Sequence, residues 1–232
     1  DIMHAFPKKQ GLYDPAYEKD SCGVGFVMNM KGEKSHEIIT QGLEILKKLE
    51  HRGACGSDSA TGDGAGILIQ IPHLFFQKHC EEAGIKLPEA GRYAVGNIFL
   101  PQIEEERAKC HQVIKQIIGE ENQTLAGWRE VPIDPVRADV GPAALMAQPY
   151  IEQLFIAAED GLSNEEFERK LYVIRKRFTH ALRGDSSLTE AKQVYACSLS
   201  TKVIVYKGML TPGQTFPFYK DLTNPSFETH LG

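Results

Sequence analysis

The sequence predicts a layered fold mixing helices and sheets, of the α/β or α+β class. Two observations carry this. Short apolar runs of strand length, bounded by Gly and Pro, occur near both ends and in the middle of the chain, and between them lie segments whose apolar residues recur at helical spacing. The 232 residues, 42% hydrophobic and 25% charged, give enough apolar surface for one large domain or two small ones.

Residues 1–21, with Pro7, Gly11 and Pro15 and no sustained period, read as an irregular leader. Cys22 to Met30 (Cys-Gly-Val-Gly-Phe-Val-Met-Asn-Met) reads as a buried strand ended by a turn at Lys31-Gly32. Ser35 is then placed to cap a helix through Ile38, Ile39, Leu43, Leu46 and Leu49. His51 to Gly66 carries five glycines and almost no large side chain, a composition that permits tight folding and close backbone approach. It leads into a strand at Ile67 to Ile71, and Pro72 starts a second helix.

Tyr93 to Leu100 predicts a third strand, Glu104 to Ile118 a charged helix, and Trp128 to Pro132 a short extended piece. Asp134 to Pro149 reads as a long connection. Asn164 is the expected cap of a helix over 165–181, with Glu166 and Glu168 early and Lys176 and Arg177 late, as the helix dipole favours. Tyr195 to Tyr206 alternates as one long strand, broken by Lys207-Gly208.

A net charge of -5 offers no basic footprint for nucleic acid, and no apolar run is long enough to span a membrane. The N-terminal residues lack the apolar core of a secretory signal, which points to a cytoplasmic protein, or a plastid one in a plant. Five cysteines, at 22, 55, 80, 110 and 197, are odd in number and never in C-x-x-C spacing, so neither a disulfide framework nor a metal site is expected. Cysteines other than Cys22 read as structural.

Cys22 has two readings. As a free cysteine it suits a buried apolar position. If the chain were cut before it, its own α-amine, titrating near the thiol's range, would serve as its base and make it a nucleophile. Thr61-Gly62-Asp63-Gly64-Ala65-Gly66 precedes a strand instead of following one, so it reads as a tight structural loop in preference to a dinucleotide fingerprint. Arg52 has planar donors suited either to loop carbonyls or to a substrate carboxylate.

Cys22-Gly23-Val24-Gly25-Phe26, Leu49-Glu50-His51-Arg52-Gly53-Ala54, Thr61-Gly62-Asp63-Gly64-Ala65-Gly66-Ile67-Leu68 with Gln70-Ile71-Pro72, and Ser198 to Thr201 with Tyr206 to Leu210 together resemble, in order, the start of the large chain of glutamate synthases. The resemblance implies a class II glutamine amidotransferase domain over residues 22–232, after a propeptide at 1–21. Its fold would be the four-layer αββα arrangement of N-terminal-nucleophile hydrolases, C-terminally incomplete, and hence α+β. It implies Cys22 as the catalytic nucleophile toward L-glutamine and Arg52 as a substrate-binding residue. No cofactor is expected in this segment, FMN and an iron–sulfur cluster belonging to the remainder of the parent chain.

Two departures from the family pattern generate further expectations. The leader leaves the Cys22 amine acylated, and the sequence ends before the Arg-Phe-Ser-Thr-Asn and His-Asn-Gly segments that hold the substrate carboxylate and oxyanion in the family. Little glutaminase activity is therefore expected of the isolated chain, whose partners would be L-glutamine and the remainder of the synthase or a second chain. The alternative is a non-catalytic or split scaffold subunit docking to a chain that supplies those segments.

Overall fold

The computed structural model describes residues 9–14, 23–50 and 58–232. The elements are α1 (His36–Lys48), β1 (Ala65–Gln70), α2 (His73–Glu82), β2 (Tyr93–Leu100), α3 (Glu104–Glu120), β3 (Thr124–Glu130), α4 (Pro142–Met146), β4 (Tyr150–Ala157), α5 (Asn164–Arg183), β5 (Tyr195–Ala196), β6 (Val203–Gly208) and α6 (Thr215–Phe218).

Two antiparallel sheets organise the molecule, one pairing β1 with β6 and the other ordered β3-β4-β2-β5. The larger sheet is apolar on both faces, because β2 and β4 are the buried central strands and read Tyr-Ala-Val-Gly-Asn-Ile-Phe-Leu and Tyr-Ile-Glu-Gln-Leu-Phe-Ile-Ala. On one face, Ala94, Ile98, Leu154 and Ile156 pack against Cys110, Ile114 and Ile118 of α3 and Phe167, Leu171, Ile174 and Phe178 of α5. On the other, Tyr93, Val95, Ile151 and Phe155 share a second core with Ile67 and Ile69 of β1, Ile204 and Tyr206 of β6, Phe75 and Phe76 of α2, and Ile39 and Leu43 of α1. The α+β class is observed, and α3/α5, the four-stranded sheet and the two-stranded sheet stack in the expected order.

Four differences from the expected elements have physical causes. The predicted connection over 134–149 contains α4, with Pro142 at its first turn, where a missing N–H costs nothing. It is followed by β4, which bears no simple alternation because both of its faces are covered and Glu152 and Gln153 interrupt its apolar residues. The cap of α5 is Ser163, one residue earlier than expected, through a capping box with Glu166: Ser163 Oγ accepts from Glu166 N, and Ser163 N donates to Glu166 Oε2 at 3.0 Å. The single strand expected over 195–206 is two strands in different sheets. Glu168 of α5 causes the break, its Oε1 accepting from Thr201 N at 2.7 Å and from the Ser200 and Thr201 hydroxyls.

Candidate active site

Cys22, Arg52, His51 and Cys55 lie outside the described residues. The chain resumes at Gly23 and runs extended behind α1. At Gly25 a Cβ would collide with Ile45 Cγ2, so only glycine lets this strand lie so close to the helix. Val27 points the same way, toward Gly42. The opposite face is open: Val24, Phe26 and Met30 are 87%, 73% and 93% exposed. The strand expected to be buried is not: Gly23, Val27 and Asn29 are half-buried and the other residues of 23–30 are exposed.

The same segment is paired on its edge. Val27 N donates to Gly232 O at 2.8 Å, Gly232 N to Val27 O at 3.0 Å, and Asn29 N to His230 O at 2.9 Å, an antiparallel register centred on Met28 and Leu231. In this register each residue further along the 229–232 strand lies opposite one nearer to Cys22. Thr229 anchors that strand: its backbone pairs with Ser35, and its Oγ1 accepts from Gln70 N at 3.2 Å and donates to Leu231 O at 2.8 Å.

The glycine-rich stretch is a stapled turn. Asp58 accepts from Ala60 N at 3.1 Å and from Thr61 Oγ1 at 2.8 Å, and Thr61 Oγ1 accepts from Ala144 N at the start of α4. Gln214 Nε2 donates to both Ala60 O and Asp139 O at 2.8 Å. Gly62 lies against the Leu210–Thr211 backbone with no room for a Cβ. This matches the expected structural loop.

Between the sheets sits a buried polar cluster that sequence reading did not single out. Arg129 of β3 donates to Asp221 through two bonds, of 2.9 and 2.8 Å, and to Gln153 Oε1 of β4 at 2.7 Å. Tyr206 of β6 donates its hydroxyl to the same carboxylate at 2.9 Å and accepts from Gln153 Nε2 at 2.8 Å. Burial opposes the charge on Arg129, but the Asp221 bonds prevail and hold its pKa above the usual value. Burial, reinforced by the Asp221 charge, raises the Tyr206 hydroxyl well above its ordinary range. The next residue, Leu222, accepts at its carbonyl from His36 Nε2 at 2.8 Å, so the cluster ties the larger sheet, β6 and the start of α1 to the segment leading into the 229–232 strand. A charged Arg129 and an amide Gln153 inside strand runs were the available sequence signal.

The sequence model of class II glutamine amidotransferases matches residues 22–232. The chain belongs to this family. It is 46% identical over 222 residues to the large chain of the NADPH glutamate synthase of Bacillus subtilis, covering 95% of this chain and 14% of the relative. It is 40% identical to the NADH glutamate synthase of Schizosaccharomyces pombe, covering 98% of this chain and 11% of that protein. It is 38% identical to the ferredoxin-dependent glutamate synthase 1 of Arabidopsis thaliana, covering 96% and 13%. The chain thus spans about a seventh or less of the length of these relatives.

The thiols of this amidotransferase divide as expected where they are described. Cys80 and Cys110 are fully buried, and burial pushes their pKa values up to about 12 and about 11; Cys197 is raised to about 12, again chiefly by burial. None of the three is a thiolate at neutral pH. Two of the histidines make structural contacts: His73 Nδ1 bonds Tyr93 Oη at 3.1 Å, and His111 Nε2 bonds Glu152 at 2.6 Å while stacking on Trp128. Among the described residues no cluster of His, Cys, Asp and Glu is arranged to hold a metal ion, and no helix is long and apolar enough to cross a membrane.

Proposed function

We propose that the chain is the glutaminase part of a glutamate synthase, in which Cys22, exposed as the first residue after removal of residues 1–21, hydrolyses L-glutamine. The α-amine of Cys22 takes the thiol proton, and the sulfur adds to the side-chain amide carbon. Collapse breaks the C–N bond, the proton passes to the departing nitrogen, and ammonia leaves a γ-glutamyl thioester. Water then adds to the thioester, returning the proton to sulfur and releasing glutamate. The ammonia would serve amination of 2-oxoglutarate elsewhere in the parent protein, where FMN and an iron–sulfur cluster would reside.

The observation that carries this reading is that the family match opens at Cys22, with the leader outside it. Two others support it. The Cys80, Cys110 and Cys197 thiols are disqualified by burial. The register of the 229–232 strand against Val27 and Asn29 aims any continuation of that strand along Gly25 and Gly23 toward Cys22, which suits delivery of groups for the glutamine carboxylate and the oxyanion. Arg52, which in sequence falls between α1 and the stapled turn, is the proposed carboxylate partner within this chain. A cytoplasmic or plastid setting accords with this reading.

Mass spectrometry of the assembled parent protein tests it. A mature N-terminus at Cys22 is expected, with loss of glutaminase activity on Cys22→Ser despite an unchanged fold. Full activity in that variant would refute the proposal.

A further inference from the structure

A second site lies away from the polar cluster, in a cavity of about 540 Å³ between the stapled turn, α4, the C-terminus of α5 and the end of β6. Its inner wall is apolar, formed by Phe99, Ala144, Ile151, Leu210 and Phe218. Its polar wall is cationic. Lys207 Nζ bonds Tyr195 Oη at 2.8 Å and lies 4.4 Å from the centre of that ring, while the Arg183 guanidinium stands 5.9 Å from the same ring and Lys192 lines the cavity beside them. None of these three cations has a carboxylate partner among the described ion pairs, in a chain whose net charge is -5.

Two further features narrow the ligand. The Oε1 atoms of Gln148 and Gln193, both lining residues, are buried acceptors with no donor. Among the described residues the only acid in the lining is Asp63, which is exposed. Arg183 Nε is held by Val194 O at 3.0 Å, but the positive charge that it and Lys207 bring to the Tyr195 ring meets no carboxylate among the described ion pairs, and stranding buried acceptors is costly, so both features favour a ligand that carries a negative group and a hydrogen-bond donor. The apolar wall adds an apolar body, the usual make-up of a small-molecule site.

We infer that this cavity binds a small organic carboxylate with an apolar body and an N–H or O–H donor, the chemistry of an apolar α-amino or α-hydroxy acid. The carboxylate lies between Arg183 and Lys207, the donor faces the glutamine oxygens and Asp63, and the body rests on Phe99 and Phe218.

The test is isothermal titration of the 232-residue chain with three probes sharing one ring: L-phenylalanine, 3-phenylpropionate and 2-phenylethylamine. The two carboxylates are expected to bind saturably, L-phenylalanine more tightly, and the amine not at all. Arg183→Gln and Lys207→Gln should each weaken carboxylate binding by about tenfold, while Lys86→Gln, on another surface, should leave it unchanged. Circular dichroism confirms that the variants are folded, and Lys192→Gln gives an independent arm if either of the first two unfolds. Saturable binding of the amine alone, no binding of either carboxylate, or carboxylate binding insensitive to all three substitutions would each overturn the inference. The outcome is independent of Cys22, because no probe carries a side-chain amide.

Discussion

Replacing Asp221 by Ala removes the carboxylate on which the buried cluster converges. Arg129 then loses two charge-assisted bonds and keeps only Gln153 Oε1, and the Tyr206 hydroxyl loses its acceptor. Bonds to charged groups contribute roughly 1.5–3 kcal/mol each, and leaving one member of a buried pair unpaired costs about 3–5 kcal/mol. Against the 5–15 kcal/mol typical of a whole domain, that is a large fraction. Urea unfolding followed by circular dichroism should show a loss of about 3–5 kcal/mol, and thermal unfolding a drop of roughly 6–20 °C. Asp221→Asn, which keeps one acceptor, should lose less. The double variant Arg129→Met with Asp221→Leu should recover much of the loss, because no charge is stranded. A loss below about 1 kcal/mol for Asp221→Ala, the size of an exposed pair, would refute the account of this cluster as a clasp between the sheets.

Gly62→Ala pushes a methyl into the Leu210–Thr211 backbone and should destabilise the chain by about 1–3 kcal/mol, measured by the urea midpoint. Cys80 and Cys110, with thiols raised to about 12 and about 11, should resist iodoacetamide at pH 8 until the protein is unfolded, as timed alkylation with peptide mapping would show. Lys109 and Ser187 hold the Asp185 carboxyl down at about 2, below the ordinary 3.8. Its stabilising contribution is therefore complete above 3.8 and lost as pH falls toward 2, and a carboxyl-carbon titration by NMR should show Lys109→Ala returning the value toward 3.8.

Strongly periodic or punctuated segments were legible in the sequence. The spans of β2 and α1 and the start of α2 after Pro72 follow directly from apolar spacing and from proline. β4 was not legible, because Glu152 and Gln153 interrupt its apolar run, whereas β2, equally covered on both faces, has only Asn97 as a polar side chain. The break between β5 and β6 was hidden for a different reason: it is imposed by Glu168, a residue of α5 far away in sequence, acting on Ser200 and Thr201. At the site, Cys22 and Arg52 were named from motif and chemistry. The clasp of Arg129, Gln153, Tyr206 and Asp221 was not, since its members come from four separated segments and meet only when the two sheets pack.

The central claim is that one thiol, Cys22, carries the glutamine chemistry. Treating the assembled parent protein with a diazoketone analogue of glutamine, then mapping its peptides by mass spectrometry, tests this most directly. The account predicts a single adduct, on an N-terminal Cys22 bearing a free amine, and glutamine protecting against it. An adduct on Cys55, Cys80, Cys110 or Cys197 in place of Cys22, or inactivation with Cys22 unmodified, would contradict it.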